Sequence, residues 1–115
     1  MIIEQKIEAP VNPLAESARA EIAIPIILSV FPENGMHMVA IAQCETRFRA
    51  DAFNPELEAK TKGITDHGSW GIFQINGPQF DKWDDVLTNT LKAKEVFDKQ
   101  SYGAWFHCSK KLGFI

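Results

Sequence analysis

The most regular hydrophobic pattern in the chain covers residues 36–48, where apolar side chains recur at intervals of three and four. Met38, Ile41 and Phe48 fall on one face of a helix at this spacing, and the segment contains neither proline nor glycine. A continuous apolar face of this kind is typical of a helix packed against a hydrophobic core. We therefore predict a helix from Met36 to Phe48.

The N-terminal region has a weaker pattern that changes twice. Residues 1–12 alternate without a helical period and predict an extended arm, and a helical pattern begins at Leu14. Proline lacks an amide proton and interrupts a helix interior, but it is tolerated in a first turn. We therefore expect a break at Pro25 and a separate helix from Pro25 to Phe31.

The second half of the chain predicts a hairpin followed by two helices. Turn-forming residues occupy 66–68, β-forming residues fill the strand 69–76, and Gly-Pro at 77–78 closes it. Helical spacing returns over residues 84–99 and again over 103–112. The layout predicts an α+β domain that is mostly α-helical, with one small β-hairpin.

Composition narrows the possible classes of protein. The chain has 115 residues and a mass of 12.9 kDa, which is the size of one domain. The net charge of −3 argues against a basic nucleic-acid-binding module, and no apolar run approaches the ~20 residues of a membrane span. Two cysteines are too few for a disulfide-dense scaffold or a four-thiolate zinc site.

One charged residue breaks the apolar face of the predicted helix. Glu45 lies in line with Ile41 and Phe48, close to the C-terminal end of the helix. Burial and the negative end of the helix dipole both disfavour the ionised carboxylate and raise its pKa, as a general acid requires. The alternative is a structural ion pair with Arg47 or Arg49, which would lower the pKa instead.

The hairpin carries side chains that suit a sugar chain. Trp70 and Phe73 offer flat apolar faces, and Gln74 and Asn76 offer amide donors and acceptors. Sugar rings have apolar faces and hydroxyl-bearing edges, so this combination indicates a glycan-binding wall. The alternative is that Trp70, Phe73 and Ile75 belong to an ordinary core.

Two motifs in order resemble the lysozyme-like superfamily. Residues 40–48, AIAQCETRF, followed by AFNP at 52–55, are similar to the catalytic helix of soluble lytic transglycosylases and goose-type lysozymes. Residues 68–76, GSWGIFQIN, resemble their "G-x-x-G-L-M-Q" segment and, more closely, the "D-Y-G-I-F-Q-I-N" segment of chicken-type lysozymes. The resemblance extends over roughly residues 22–112 and implies a lysozyme-like domain at 22–115, preceded by an arm and leading segment at 1–21.

The resemblance implies cleavage of the β-1,4 bond between N-acetylmuramic acid and N-acetylglucosamine in peptidoglycan, with Glu45 as general acid and base. It further implies that no cofactor is needed. It also implies that part of the hairpin and a tyrosine near the catalytic glutamate contact the substrate. Those residues are Ser69, Trp70, Phe73, Gln74, Asn76 and Tyr102.

Within this resemblance, the presence or absence of a second carboxylate distinguishes hydrolysis from lytic transglycosylation. Chicken-type lysozymes place an aspartate where this chain has Ser69, and a serine hydroxyl cannot carry a stabilising negative charge. The departure favours a lytic transglycosylase, in which the muramyl C6 hydroxyl attacks and a 1,6-anhydro product forms. The alternatives are a hydrolytic muramidase that uses Asp66 and a non-catalytic glycan-binding domain on the same scaffold.

Cys44 and Cys108 either form a disulfide or remain two buried thiols in a reducing compartment. The resemblance implies the bridge, since chicken-type lysozymes bond their terminal helix to this same helix, one turn earlier. A disulfide would clamp the catalytic helix.

The expected partners and location follow from the implied substrate. We expect peptidoglycan strands as the partner, no nucleic acid, no membrane span and a monomer. The three histidines, at 37, 67 and 107, have no metal-ligand spacing. Glu4 and Lys6 stand where a signal peptide would have an apolar stretch, so none is predicted. The pI near 5.6 suits a wall-remodelling or phage-associated enzyme acting in an extracellular, periplasmic or cell-wall location.

Overall fold

The computed structural model describes residues 13–57, 61–63 and 67–115, with backbone alone at 13 and 14. The expected extended arm at 1–12 lies outside these residues. The α+β class is confirmed, since the described residues form helices and a three-stranded antiparallel sheet. Within the described ranges, no helix is both long and apolar enough to cross a membrane. In chain order the elements are α1 (Pro13–Val30), α2 (Gly35–Thr46), β1 (Phe53–Pro55), β2 (His67–Trp70), β3 (Ile75–Pro78), α3 (Val86–Gln100), a 3-10 helix (Ser101–Trp105) and α4 (Phe106–Leu112).

Helix α1 runs straight through Pro25, so the expected break at this proline is wrong. Pro25 lies on the exposed side, where water can satisfy the carbonyl that its missing N–H leaves unbonded. The opposite side buries Ala23 and Ile27 completely, and this packing holds the helix together across the proline. The helix also crosses the boundary expected between residues 21 and 22.

Helix α2 ends two residues earlier than predicted because its backbone reverses at Arg47. Arg47 has a φ of 55° and Phe48 a φ of 64°, both in the left-handed region. The Arg47 N–H still donates to the Gln43 carbonyl at 2.9 Å and caps the helix. The reversal returns Phe48 to the core, where it is buried without being helical.

The sheet has the order β1-β2-β3, and the predicted strand at 69–76 contains the hairpin turn instead of one strand. Trp70 pairs with Ile75, and residues 71–74 form the turn between them. Gly71 has a φ of 76°, and an added Cβ there would stand 2.1 Å from the Asn89 amide nitrogen. Position 71 therefore requires glycine for two reasons: its backbone is left-handed, and α3 approaches too closely for a side chain.

Asn89 on α3 makes three hydrogen bonds, of which two connect the helix to the hairpin and one reaches the loop before α3. Its amide oxygen accepts from the Phe73 N–H at 3.0 Å. Its amide nitrogen donates to the Trp70 and Trp83 carbonyls, both at 3.0 Å. Because Asn89 is almost fully buried, these bonds satisfy backbone groups that water cannot reach.

The hydrophobic core lies between α1, α2, α3 and the hairpin turn. Phe31, the residue that follows α1, packs against Phe73 from the turn, with ring centroids 6.3 Å apart, and Phe73 packs against Trp105 at 6.0 Å. The Trp105 indole N–H donates to the Phe73 carbonyl at 2.8 Å, so the turn is fixed from inside the core. The other fully buried apolar side chains of the cluster are Ala23, Ile27, Met38, Ile41, Ala42, Ile72 and Ala93.

A disulfide joins Cys44 on α2 to Cys108 on α4, which confirms the bonded alternative. The two Cα atoms lie 6.0 Å apart, and 64 positions of sequence separate them. In the chain-entropy account, closing a loop of this length stabilises the folded state by roughly 4 kcal/mol. The bond attaches the seven-residue α4 to the last turn of α2.

The Asn89→Ala variant tests the buried anchor. It removes all three bonds and leaves the Phe73 N–H and two carbonyls buried without partners, so we expect a loss of about 3 kcal/mol or more. Urea unfolding measures this value. Leu91→Ala on an exposed face of the same helix is the control and should cost under about 1 kcal/mol. Equal losses in the two variants would contradict the anchoring role.

Candidate functional site

Glu45 lines an open cavity of about 570 Å³ between the last turn of α2 and strand β1. We call it the Glu45 cavity. Its position follows from the α2 terminus, because the reversal at Arg47 sends the chain back past the glutamate into β1. The residues that line it are Cys44, Glu45, Thr46, Arg47, Arg49, Asp51, Ala52, Phe53 and Asn54.

The Glu45 carboxyl is half-buried, and its burial favours the protonated form. Burial raises its pKa from 4.5 to about 7, because the charged form loses hydration. Among the described residues, none forms an ion pair or a hydrogen bond with this carboxyl, so the alternative pairing with Arg47 or Arg49 is wrong. A carboxyl that is about half protonated near neutral pH can donate a proton and later accept one.

Two bonds fix the helical turn that carries Glu45. The Thr46 hydroxyl donates to the Ile72 carbonyl at 2.9 Å and thereby ties the end of α2 to the hairpin turn. On the other side, Cys44 is bonded to α4. Glu45 therefore lies between two attached neighbours, which limits the positions that its carboxyl can take.

A polar row crosses the sheet next to the Glu45 cavity. Asn54 pairs with Ser69, and Ser69 pairs with Asn76, so the three side chains occupy one face. The Asn76 amide nitrogen lies 3.4 Å from the Ser69 hydroxyl oxygen. The row presents amide and hydroxyl groups but no charge.

The second cavity, which we call the Asn76 cavity, measures about 360 Å³. The Asn54 amide donates to the Gln74 side-chain oxygen at 2.5 Å. Asn54 lines the Glu45 cavity and Gln74 lines the Asn76 cavity, so this bond links one residue from each lining. The Asn76 cavity is lined by Gln74, Ile75, Asn76, Val96, Gln100, Gly103, Ala104 and Trp105.

Gln74 has a structural task in addition to its place on the cavity wall. Its amide nitrogen donates to the Gly71 carbonyl at 2.9 Å and to the Ala52 carbonyl at 3.1 Å. Both of its donors are therefore engaged in joining β1 to the hairpin turn. Of the predicted amide contacts, Asn76 is the more exposed.

The two predicted aromatic contacts lie inside the protein. Trp70 is 4% exposed, stacks on Phe53 with centroids 4.2 Å apart, and donates its indole N–H to the Gly77 carbonyl at 2.9 Å. Phe73 is fully buried in the core. Neither Trp70 nor Phe73 lines the Glu45 cavity or the Asn76 cavity.

Tyr102 lies at the wrong end of α2 to contact Glu45. Its hydroxyl oxygen accepts from the Asn34 amide at 3.1 Å and lies 2.9 Å from the His37 Nδ1 atom. Eight residues separate His37 from Glu45, which is about 12 Å along a helix axis. The predicted substrate contact at Tyr102 is therefore not part of the Glu45 cavity.

Several residues of the Glu45 cavity were not predicted as site residues, Asp51 and Arg47 among them, and one predicted residue is not described. Asp66, the expected second carboxylate, lies outside the described residues. Asp51 lines the Glu45 cavity and brings a second carboxylate into it. Arg47 lines it as a cation instead of pairing with Glu45. Nothing in the local sequence marks these two, since their placement depends on the left-handed turn after Thr46.

The Glu45→Gln variant tests the raised pKa through stability. The folded state holds the Glu45 proton more tightly than the unfolded chain, so this contribution is complete below about pH 4.5 and is lost as the pH rises through about 7. Glutamine cannot ionise. The Tm of the variant relative to wild type should therefore increase between pH 4.5 and pH 8.

Differential scanning calorimetry across this pH range measures the difference. Glu21→Gln, at an exposed position on α1, is the control and should show a constant difference. If the Tm difference between Glu45→Gln and wild type were also constant over this pH range, the Glu45 carboxyl would titrate like an exposed one.

Comparisons of this chain with protein families, with curated proteins and with solved structures found no match. The chemistry available to the site therefore follows from its own residues. They supply a proton-donating carboxyl, a fixed helical turn behind it, and an uncharged polar row beside it.

Proposed function

We propose that this protein is a peptidoglycan-cleaving enzyme of the lysozyme-like kind. In this proposal Glu45 acts as general acid and base on the β-1,4 bond between N-acetylmuramic acid and N-acetylglucosamine. The motifs at 40–48 and 68–76 point to this reaction, and the Glu45 cavity is the observation that carries it. A half-buried carboxyl with a pKa of about 7 in an open cavity suits proton transfer to a leaving oxygen.

The surroundings of Glu45 support a glycan as the substrate. The Asn54–Gln74 hydrogen bond links the lining of the Glu45 cavity to that of the Asn76 cavity, and both cavities carry amide side chains. Amide groups in these linings can exchange hydrogen bonds with sugar hydroxyls and acetamido groups. Their polar character suits a sugar chain better than an apolar ligand.

The polar row supports transglycosylation over hydrolysis. Ser69 stands between two asparagines and supplies no negative charge to stabilise an oxocarbenium-like state. In the proposed reaction Glu45 first gives its proton to the glycosidic oxygen, and the bond from that oxygen to the muramyl C1 breaks. The Glu45 carboxylate then takes the proton of the muramyl C6 hydroxyl while that oxygen bonds to C1. No water is consumed, and a 1,6-anhydro sugar forms.

Hydrolysis is the second candidate, and Asp51 is the observation that favours it. Its carboxylate lines the same cavity as Glu45, so it can serve as the second acidic group in place of Asp66. In this reaction a water molecule adds its hydroxyl to the muramyl C1 atom, and the product has a reducing end.

The disulfide supports a location outside the cytoplasm for the proposed enzyme. Disulfides persist in oxidising compartments and are rare where thiols are kept reduced. Peptidoglycan lies in such an environment, so the proposed substrate and the Cys44–Cys108 bond agree.

Mass spectrometry of fragments released from purified peptidoglycan tests the reaction. We expect products one water lighter than reducing-end muropeptides, and a loss of at least about 1000-fold in rate for Glu45→Gln, since that variant has no proton to give. Glu21→Gln is the matched control and should retain wild-type activity.

Reducing ends in the same digest would select the hydrolytic candidate, and a strong loss in Asp51→Asn would then identify the second carboxylate. Binding of the glycan without release of fragments would support a non-catalytic glycan-binding domain. Full activity of Glu45→Gln would overturn the proposal.

The pH dependence of cleavage gives a separate prediction. Protonated Glu45 is required at the first step, so kcat/KM should fall above about pH 7, by about tenfold per pH unit well above the pKa. Initial rates with solubilised glycan strands between pH 5 and pH 9 measure this profile. A rate that stays constant up to pH 9 would exclude Glu45 as the acid.

A further inference from the structure

A third cavity adjoins the Glu45 cavity on the side away from the sheet. It measures about 500 Å³, and we call it the Lys111 cavity. It shares two lining residues with the Glu45 cavity, Cys44 and Arg47, so the two spaces meet around the end of α2. The lining residues of the Lys111 cavity are Glu16, Ala40, Gln43, Cys44, Arg47, Lys111 and Leu112.

The Lys111 cavity has two cations and one acidic residue in its lining, although the chain as a whole has a net charge of −3. The lining of the Glu45 cavity contains Arg47 and Arg49 together with the carboxyl groups of Glu45 and Asp51. Arg47 and Lys111 line the adjoining cavity. The single acidic residue in that lining, Glu16, accepts a hydrogen bond from Gln43 at 3.2 Å.

Arg47 stands where the two cavities meet, and its backbone is held on both sides. Its N–H donates to the Gln43 carbonyl at 2.9 Å, and its carbonyl accepts from the Arg19 Nε atom at 3.2 Å. The left-handed φ of 55° is unusual for arginine, whereas asparagine and glycine adopt it readily. Within the described part of the chain, the Arg47 guanidinium has no hydrogen bond or ion pair of its own.

From this arrangement we infer that the Lys111 cavity receives the peptide stem of the substrate and that Arg47 binds a carboxylate of that stem. The inference rests on the proposed function and extends it to the substrate's side chain. The muramyl sugar carries the stem on its lactyl group, close to the bond that would be cleaved at Glu45. Because Arg47 lines both cavities, a stem that leaves the Glu45 cavity past Arg47 would extend toward the Lys111 cavity.

The chemistry of the stem fits the charges along this route. Stem peptides carry free carboxylates, and a guanidinium binds a carboxylate through two parallel hydrogen bonds. Lys111 adds a second cation beyond Arg47. A bare glycan strand offers no such anion, so the cations would distinguish strands that carry stems from strands that lack them.

The experiment compares two substrates from one preparation. Glycan strands with their stems, and the same strands after an amidase has removed the stems, are cleaved by wild type and by Arg47→Asn. Asparagine keeps the left-handed backbone at this position. The ratio of kcat/KM for stem-bearing over stem-free strands should fall about tenfold or more in the variant.

Lys110→Gln is the control, because it removes one positive charge from α4, next to Lys111, at a position outside the lining of both cavities. In Lys110→Gln, the ratio of kcat/KM for stem-bearing over stem-free strands should equal that of wild type. Arg47→Lys should recover part of the ratio, since lysine keeps the charge but lacks the forked geometry. A ratio unchanged in Arg47→Asn, or lowered equally in Lys110→Gln, would overturn the inference.

Binding separates this inference from the proposed reaction. Isothermal titration of a disaccharide-peptide and of the peptide-free disaccharide into Glu45→Gln requires no turnover. We expect tighter binding of the stem-bearing compound and loss of that preference in Glu45→Gln with Arg47→Asn. Equal binding of the two compounds would overturn the stem site, while absence of cleavage by wild type would overturn only the proposed reaction.

Discussion

The attachment of the last turn of α2 on both sides is the constraint on which the site depends. The Cys44–Cys108 disulfide holds this turn to α4, and the Thr46 hydroxyl holds it to the Ile72 carbonyl in the hairpin turn. Between these attachments the Glu45 carboxyl stays half-buried, and burial raises its pKa to about 7. Without them the carboxyl could turn toward water, where its pKa would return to its ordinary value.

The hairpin is attached to the rest of the protein by a second buried polar group, Asn89. Two of its hydrogen bonds go to Trp70 and Phe73 of the hairpin and the third goes to Trp83, and Gly71 leaves room for its amide. Phe73, within the turn, is buried in the core, so one buried unit supports both the polar row and the contact to Thr46. The positions of Asn76 and Glu45 are therefore linked through the core and not through direct contact.

The sequence predicted the parts of the structure that depend on local periodicity and composition. Met38 and Ile41 on α2 are buried as their spacing indicates, and Glu45 breaks that apolar face as expected, while Phe48 is buried from beyond the end of the helix. Local rules failed where tertiary packing overrides them. Burial of Ala23 and Ile27 carries α1 through Pro25, and the turn at 71–74 lies within a run of β-forming residues because Gly71 must fit against Asn89.

By itself, the sequence determined the α+β class, the position of the anomalous glutamate and the two cysteines able to pair, since each depends on residue type and spacing along the chain. Only the tertiary structure decided which groups share a space with Glu45. It buried Trp70 and Phe73, moved Tyr102 to the far end of α2, and brought Asp51 and Arg47 to the cavity. The physical reason is that these placements follow from chain reversals, above all the left-handed turn at Arg47, and a reversal redirects every side chain after it.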